Sequence, residues 1–167
     1  DDVVPTKGPL SLGQEGLWFL HQALQFKETY HTHLSFRFRD ELDPDLLRLA
    51  LVHLMRRHDQ LRVRIFYEGD SVVQEVQEEV EPDFMFFDLS GLPGDQRWSE
   101  FEEIAREEAR RPFDLEEPPL LRLGIVRFDR LDHEIILTSH HIVHDGWSLG
   151  LFMTELSRTY IAFTEGK

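Results

Sequence analysis

Residues able to carry a proton are concentrated in one short stretch, His140-His141-Ile142-Val143-His144-Asp145-Gly146, directly after the apolar run Glu134-Ile135-Ile136-Leu137-Thr138-Ser139. An imidazole titrates near ~6.5, so it accepts a proton during acyl transfer without an extreme shift. Set at the end of a strand, it is also held more precisely than on a free loop. A metal site is the first alternative, because His140 and His144 are four apart with Asp145 adjacent. That spacing requires a helix to bring both rings to one face. The preceding run is β-like and Asp-Gly is a turn signal, so no metal is expected. The plainest alternative is two histidines that cap a strand and satisfy local carbonyls, with Asp145-Gly146 no more than a turn.

The elements that must position this stretch follow from periodicity. Ser11 is placed to N-cap a helix running through Trp18 to about Leu24, with Leu17, Leu20, Ala23 and Leu24 on one side. His31 to Arg39 alternates polar residues with Leu34, Phe36 and Phe38, the mark of a half-buried strand. Asp43-Pro44 opens a second helix whose Leu46, Leu47, Ala50, Leu51, Leu54 and Met55 keep the 3.6 period to His58. A strand over Leu61 to Tyr67, a turn at Gly69-Asp70 and a return over Ser71 to Gln77 form a hairpin. Phe84 to Phe87 is a short buried strand, and Asp88 to Asp95 a loop. A third helix runs to about Arg111, with Trp98, Phe101, Ile104, Ala105 and Ala109 on its apolar face. Pro112 to Pro119 is expected to be extended. Leu121 to Phe128 and Glu134 to His141 form an antiparallel pair, and Trp147 to Phe163 a last helix. The fold class is α/β (α+β), a mixed and mostly antiparallel sheet packed by helices.

Composition narrows the function classes. The 167 residues, 41% of them hydrophobic, suffice for one domain with a real core. Acidic residues number 32 against 18 basic, a net charge of -14 that repels phosphate backbones, so nucleic acid is excluded as a partner. There is no cysteine, hence no disulfide, thiolate metal site or covalent Cys intermediate. The first residues lack a signal peptide's basic and apolar regions, and no run reaches the ~18 apolar residues of a membrane helix. No membrane association and a cytoplasmic location are expected. The chain starts with Asp1 rather than Met, which suggests a piece of a longer protein or a trimmed form of one.

Beyond these readings, His140-His141-Ile142-Val143-His144-Asp145-Gly146-Trp147-Ser148 resembles the HHxxxDGxS signature of the condensation domains of nonribosomal peptide synthetases. Arg57-His58-Asp59-Gln60-Leu61-Arg62 resembles that family's RHxxLR motif, and Ser11 to Trp18 its SxAQxRLW motif, with Gly13 and Gly16 replacing the usual Ala and Arg. Val63 follows the second motif where Thr is common. Pro112-Phe113-Asp114-Leu115, followed by Pro119-Leu120 and Arg122, is similar to a further recurrent stretch. Four motifs in family order span nearly the whole chain. Trp147 resembles the residue of domains that take an L-configured donor.

The resemblance implies a chloramphenicol acetyltransferase-like fold of two lobes, with residues 1–167 as the N-terminal lobe and the C-terminal lobe as its partner across a tunnel. It implies an acyltransferase that joins a donor acyl or peptidyl thioester to an acceptor amine. Both substrates would ride on the phosphopantetheine of peptidyl carrier proteins, with no directly bound cofactor. His141 maps to the family's second histidine, as base or as positioner of the attacking amine. The Gly146 backbone N–H is a candidate oxyanion donor, and His140 would pack and orient the loop. Asp145 would either orient the histidine or turn away to pair with Arg62, with Arg57 the second choice; Trp147 and Ser148 complete the motif. Gln14 and Trp18 would support the core or the tunnel wall, and His58 would complement the helix dipole at a C-terminus. The lobe by itself would be inactive. CoA-dependent or lipid acyltransferases with an HxxxD-type site, or a non-catalytic docking lobe, are the rival classes.

Overall fold

A computed structural model describes residues 6–167; residues 1–5, on which the reading of the chain's start rests, lie outside the described residues. Eleven regular helices and strands follow in the order β1 (Lys7–Pro9), α1 (Leu12–Ala23), β2 (His31–Phe38), α2 (Pro44–Arg57), β3 (Val63–Glu68), β4 (Ser71–Val76), β5 (Asp83–Asp88), α3 (Gly94–Arg110), β6 (Leu121–Asp129), β7 (Asp132–His140) and α4 (Gly146–Thr164). Short 3-10 turns cover Lys27–Tyr30, Asp59–Arg62 and His141–Val143. The single sheet expected from sequence is two: a four-stranded sheet β2-β7-β6-β5 and a three-stranded sheet β1-β4-β3. Every pair is antiparallel except β5 with β6, whose connection through α3 is long enough for a parallel crossover.

Period-2 alternation sends the two faces of the four-stranded sheet to different partners. Leu123, Ile125 and Leu137 pack with Leu47, Leu51 and Leu54 of α2 and with Phe152 and Leu156 of α4. The opposite face sets Val126, Phe128 and Ile136 against Phe101 and Ile104 of α3. A third cluster joins Trp18 of α1, Val63 and Ile65 of β3, Phe113, Leu115, Ile142 and Val143, and so cements the histidine stretch to α1 and the small sheet.

Three local expectations are corrected. The buried face of α1 is Gln14, Leu17, Trp18 and His21, while Leu20 is exposed; the i, i+3, i+4, i+7 stripe that meets the protein mixes polar with apolar side chains, so counting only apolar residues rotates the helix. Residues 59–62 form a 3-10 turn, and the strand begins at Val63 rather than Leu61. The stretch from Pro112 is not extended throughout: the Asp114 carboxylate accepts from Glu116 N–H at 2.9 Å and the Asp114 carbonyl from Glu117 N–H, making a turn.

Arg122 anchors that stretch. Its side chain is almost fully buried and its guanidinium donates to the carbonyls of Glu108 (3.2 Å), Arg111 (2.6 Å) and Pro112 (3.4 Å), at the C-terminal end of α3. It also lies 3.9 Å from the Phe113 ring centroid, with the Glu108 carboxylate 3.7 Å away. Burial and the neighbouring Arg111 lower its pKa from 12.5 to about 10, which leaves it charged at neutral pH. A cation suits this place because the last carbonyls of a helix carry partial negative charge.

Candidate active site

β7 is a central strand, so its last residue, His140, emerges inside the protein and is fully buried. The next three residues form one 3-10 turn, His141–Val143, in which Ile142 and Val143 are buried and His141 is exposed. The two adjacent histidines therefore live in opposite environments. Ile142 N–H donates to His140 Nδ1 at 3.1 Å, which assigns the ring proton to Nε2, 3.2 Å from His21 Nδ1. The His140 ring also has His31 at 6.0 Å and Phe113 at 6.3 Å. Burial, then the surrounding imidazoles, push its pKa down from 6.5 to about 3. His140 is thus a neutral, hydrogen-bonded pin for the turn.

His141 makes no side-chain hydrogen bond among the described residues. It lies on the wall of a cavity of about 590 Å³ that is also lined by Gln14, His58, His144, Asp145, Ser148 and apolar residues including Leu17, Leu61, Leu149 and Phe152. Gln14 ties α1 to this wall by donating to the Ile142 carbonyl (3.3 Å) and to Gln74 Oε1 (3.1 Å). His58, at the C-cap of α2 as expected, turns its Nε2 to Glu155 Oε2 of α4 at 2.5 Å, a contact with no sequence signal.

Asp145-Gly146 is not a turn between elements but the start of α4. Asp145 is the N-cap: its carboxylate accepts from Ser148 N–H at 2.7 Å and from the Ser148 hydroxyl at 2.8 Å, while Ser148 Oγ accepts from Asp145 N–H at 2.9 Å. These bonds hold the Asp145 carboxyl below the usual carboxylate range. The expected pairing with an arginine is not made. Arg62 donates to the carbonyls of Met55 (2.8 Å), Gln77 and Glu78 (3.2 Å) and to Asp59 (2.6 Å), tying the end of α2 to β4. Arg57 is largely exposed and approaches Glu155 at 3.8 Å. A capping carboxylate with Ser at N3 satisfies Asp145 locally, which removes the need for a distant cation. Gly146 is the first residue of α4, where a backbone N–H has no intrahelical acceptor. A Cβ there would meet nothing within 4 Å among the described residues, so none of them demands glycine. Trp147 is 87% exposed beside it.

No group of three or more His, Asp or Glu side chains suited to a metal ion occurs among the described residues. Nor, among them, is any helix long and apolar enough to cross a membrane.

The chain is similar to known proteins over nearly its whole length. A linear gramicidin synthase of Brevibacillus parabrevis is 34% identical over 155 residues, covering 93% of this chain and 3% of that protein. Phosphinothricin tripeptide synthetase PhsC of Streptomyces viridochromogenes is 36% identical over 157 residues, 94% of this chain and 14% of the relative. The chain thus spans a small part of these relatives. Among solved structures, the starter condensation domain of rhizomide synthetase RzmA superposes with a TM-score of 0.87 at 20% identity, over 97% of this chain and 39% of that one. SgcC5 protein from Streptomyces globisporus gives 0.81 at 27% identity, over 95% and 37%. The fold is that of the chloramphenicol acetyltransferase-like condensation domains. The family model described as Condensation domain matches residues 4–167, and the chain belongs to the condensation-domain family of nonribosomal peptide synthetases.

Proposed function

We propose that this chain is the N-terminal lobe of a condensation domain that forms an amide between a carrier-bound acyl or peptidyl thioester and a carrier-bound aminoacyl amine. The observation that carries the reading is the division of labour between the two motif histidines: His140 is buried, neutral and fully bonded, while His141 opens on the cavity with its ring nitrogens free of partners among the described residues. A free α-amino group titrates near ~7.7 to 8.0, so an imidazole beside it can take its proton or hold its lone pair in line with the thioester carbonyl. Attack forms the C–N bond, the tetrahedral oxyanion meets the Gly146 N–H, and collapse expels the donor's thiolate, which leaves protonated as the phosphopantetheine thiol. The donor and acceptor carrier proteins are the partners, a second lobe supplies the opposite wall of the channel, and the setting is cytoplasmic.

The test is His141→Ala in the native polypeptide, with loaded carrier proteins and product followed by mass spectrometry. Amide formation is expected to fall to background with the fold intact; wild-type turnover would overturn the reading. Free acyl-CoA replacing the donor carrier protein with equal efficiency would argue instead for a CoA-dependent acyltransferase.

A further inference from the structure

The third variable position of the histidine signature is His144 in this chain, and it has a defined place. A 3-10 turn has three residues per turn, so side chains three apart eclipse one another. Across the turn His141–Val143 this sets the His144 ring against the His141 ring, centroids 4.9 Å apart and planes 30° from parallel. His144 is itself fixed, with Nε2 2.7 Å from Ser139 Oγ, and Ser139 is fully buried in β7. Its Nδ1 is shielded from solvent without a hydrogen bond among the described residues. Burial first and His141 second lower the His144 pKa, against the smaller opposing influence of Asp145, so the ring is neutral at neutral pH. The other titratable groups around the turn are His140, within the core, and Asp145 and His58 on the cavity wall, His58 being bonded to Glu155. His141 has no hydrogen bond of its own among the described residues, so the stacked ring is what orients it.

We propose that His144 is a positioning residue, clamped by Ser139 to the central strand and serving as the flat platform that aims the His141 imidazole into the cavity. The proposal rests on the reading of His141 as the group that meets the reacting amine. Orientation of this kind acts on the chemical step, and misplacement by about 1 Å costs on the order of a hundredfold in rate.

The informative comparison is His144→Phe with His144→Leu. Both fill the half-buried site, but only phenylalanine offers a planar face. In this chain labelled at histidine, the His141 ring protons should keep an upfield ring-current shift in the Phe variant and lose it in the Leu variant. In the native polypeptide, kcat for condensation should fall roughly ten- to a hundredfold in the Leu variant with KM for the carrier substrates little changed, and should be largely retained in the Phe variant. Equal kcat in the two variants, or His141 resonances indifferent to the change, would overturn the proposal. So would unfolding of both, which would make His144 a core residue. His141→Ala is the separate arm: wild-type turnover there would sink the proposed function, while the ring-current comparison still decides whether the stack exists.

Discussion

Acidification should loosen this protein through His140, and the size of the effect can be worked out. The ring is fully buried, and its pKa is pushed down from 6.5 to about 3 by burial first and then by His21, His31, His141 and His144. An unfolded chain takes up that proton near ~6.5, whereas the folded protein declines it until far lower pH. Stability is therefore complete above the unfolded pKa and is lost as pH falls through the interval, at about 1.4 kcal/mol per pH unit once the unfolded ring is fully charged. Integrated from pH 7 to pH 5, His140 alone accounts for roughly 2 kcal/mol. His21, His31, His33, His133 and His144 are all shifted downward mainly by burial and steepen the total, so the measurement is a difference. His140→Asn retains an oxygen to accept from Ile142 N–H but has no proton to gain. Urea denaturation of both proteins at pH 7, 6 and 5 should show the wild type losing about 2 kcal/mol more than the variant across the interval. Identical losses would mean that His140 is protonated in the folded protein and that its buried, neutral state is wrong.

Arg122→Met should leave the Glu108, Arg111 and Pro112 carbonyls and the Glu108 carboxylate poorly paired, at a cost of about 3 to 5 kcal/mol, read in calorimetry as a Tm lower by roughly 6 to 20 °C. A double-mutant cycle of Asp145→Ala and Arg62→Ala should be additive within about 0.5 kcal/mol, because the two side chains share no partner; a larger coupling energy would restore the ion pair. Gln14→Ala should destabilise by about 1 to 2 kcal/mol in chemical denaturation, through loss of its bonds to Ile142 and Gln74 and of its half of the Ser11 capping box.

Local rules reached the elements whose stabilising partners are near in sequence. Ser11 and Asp43 cap α1 and α2 as their residue types require, and the Leu46–Met55 stripe of α2 was legible because one apolar face meets one apolar sheet. That a strand leads into the histidines was likewise readable from the run before them, although β7 ends at His140 and His141 already belongs to the 3-10 turn rather than to the strand. What escaped depends on partners far apart in the chain. Nothing near His21 announces that it will meet His140, and nothing near Glu155 announces His58. The Asp145–Arg62 pairing failed for the opposite reason: a short-range solution, the N-cap with Ser148 at N3, competes with a long-range charge pair at smaller entropic cost. The division into two sheets was hidden because β1 has only three residues, too few to display an alternation.

The order of strands in the four-stranded sheet bears on how the chain is made. β2 pairs with β7 in full register although about a hundred residues separate them, and α2 packs on α4, the last element of the described chain. On a ribosome adding about 5 to 20 residues per second, β2 and the apolar face of α2 therefore wait for several seconds or more without the partners that will cover them. Until β7 emerges, the alternating Leu34, Phe36 and Phe38 form an unpaired apolar strand, open to pairing with other chains. The histidine turn follows β7 immediately in the sequence, so the segment that closes the sheet also delivers the proton-carrying residues. A nascent chain halted before this point holds neither a closed sheet nor the histidines, and the core is finished only when α4 follows and covers α2.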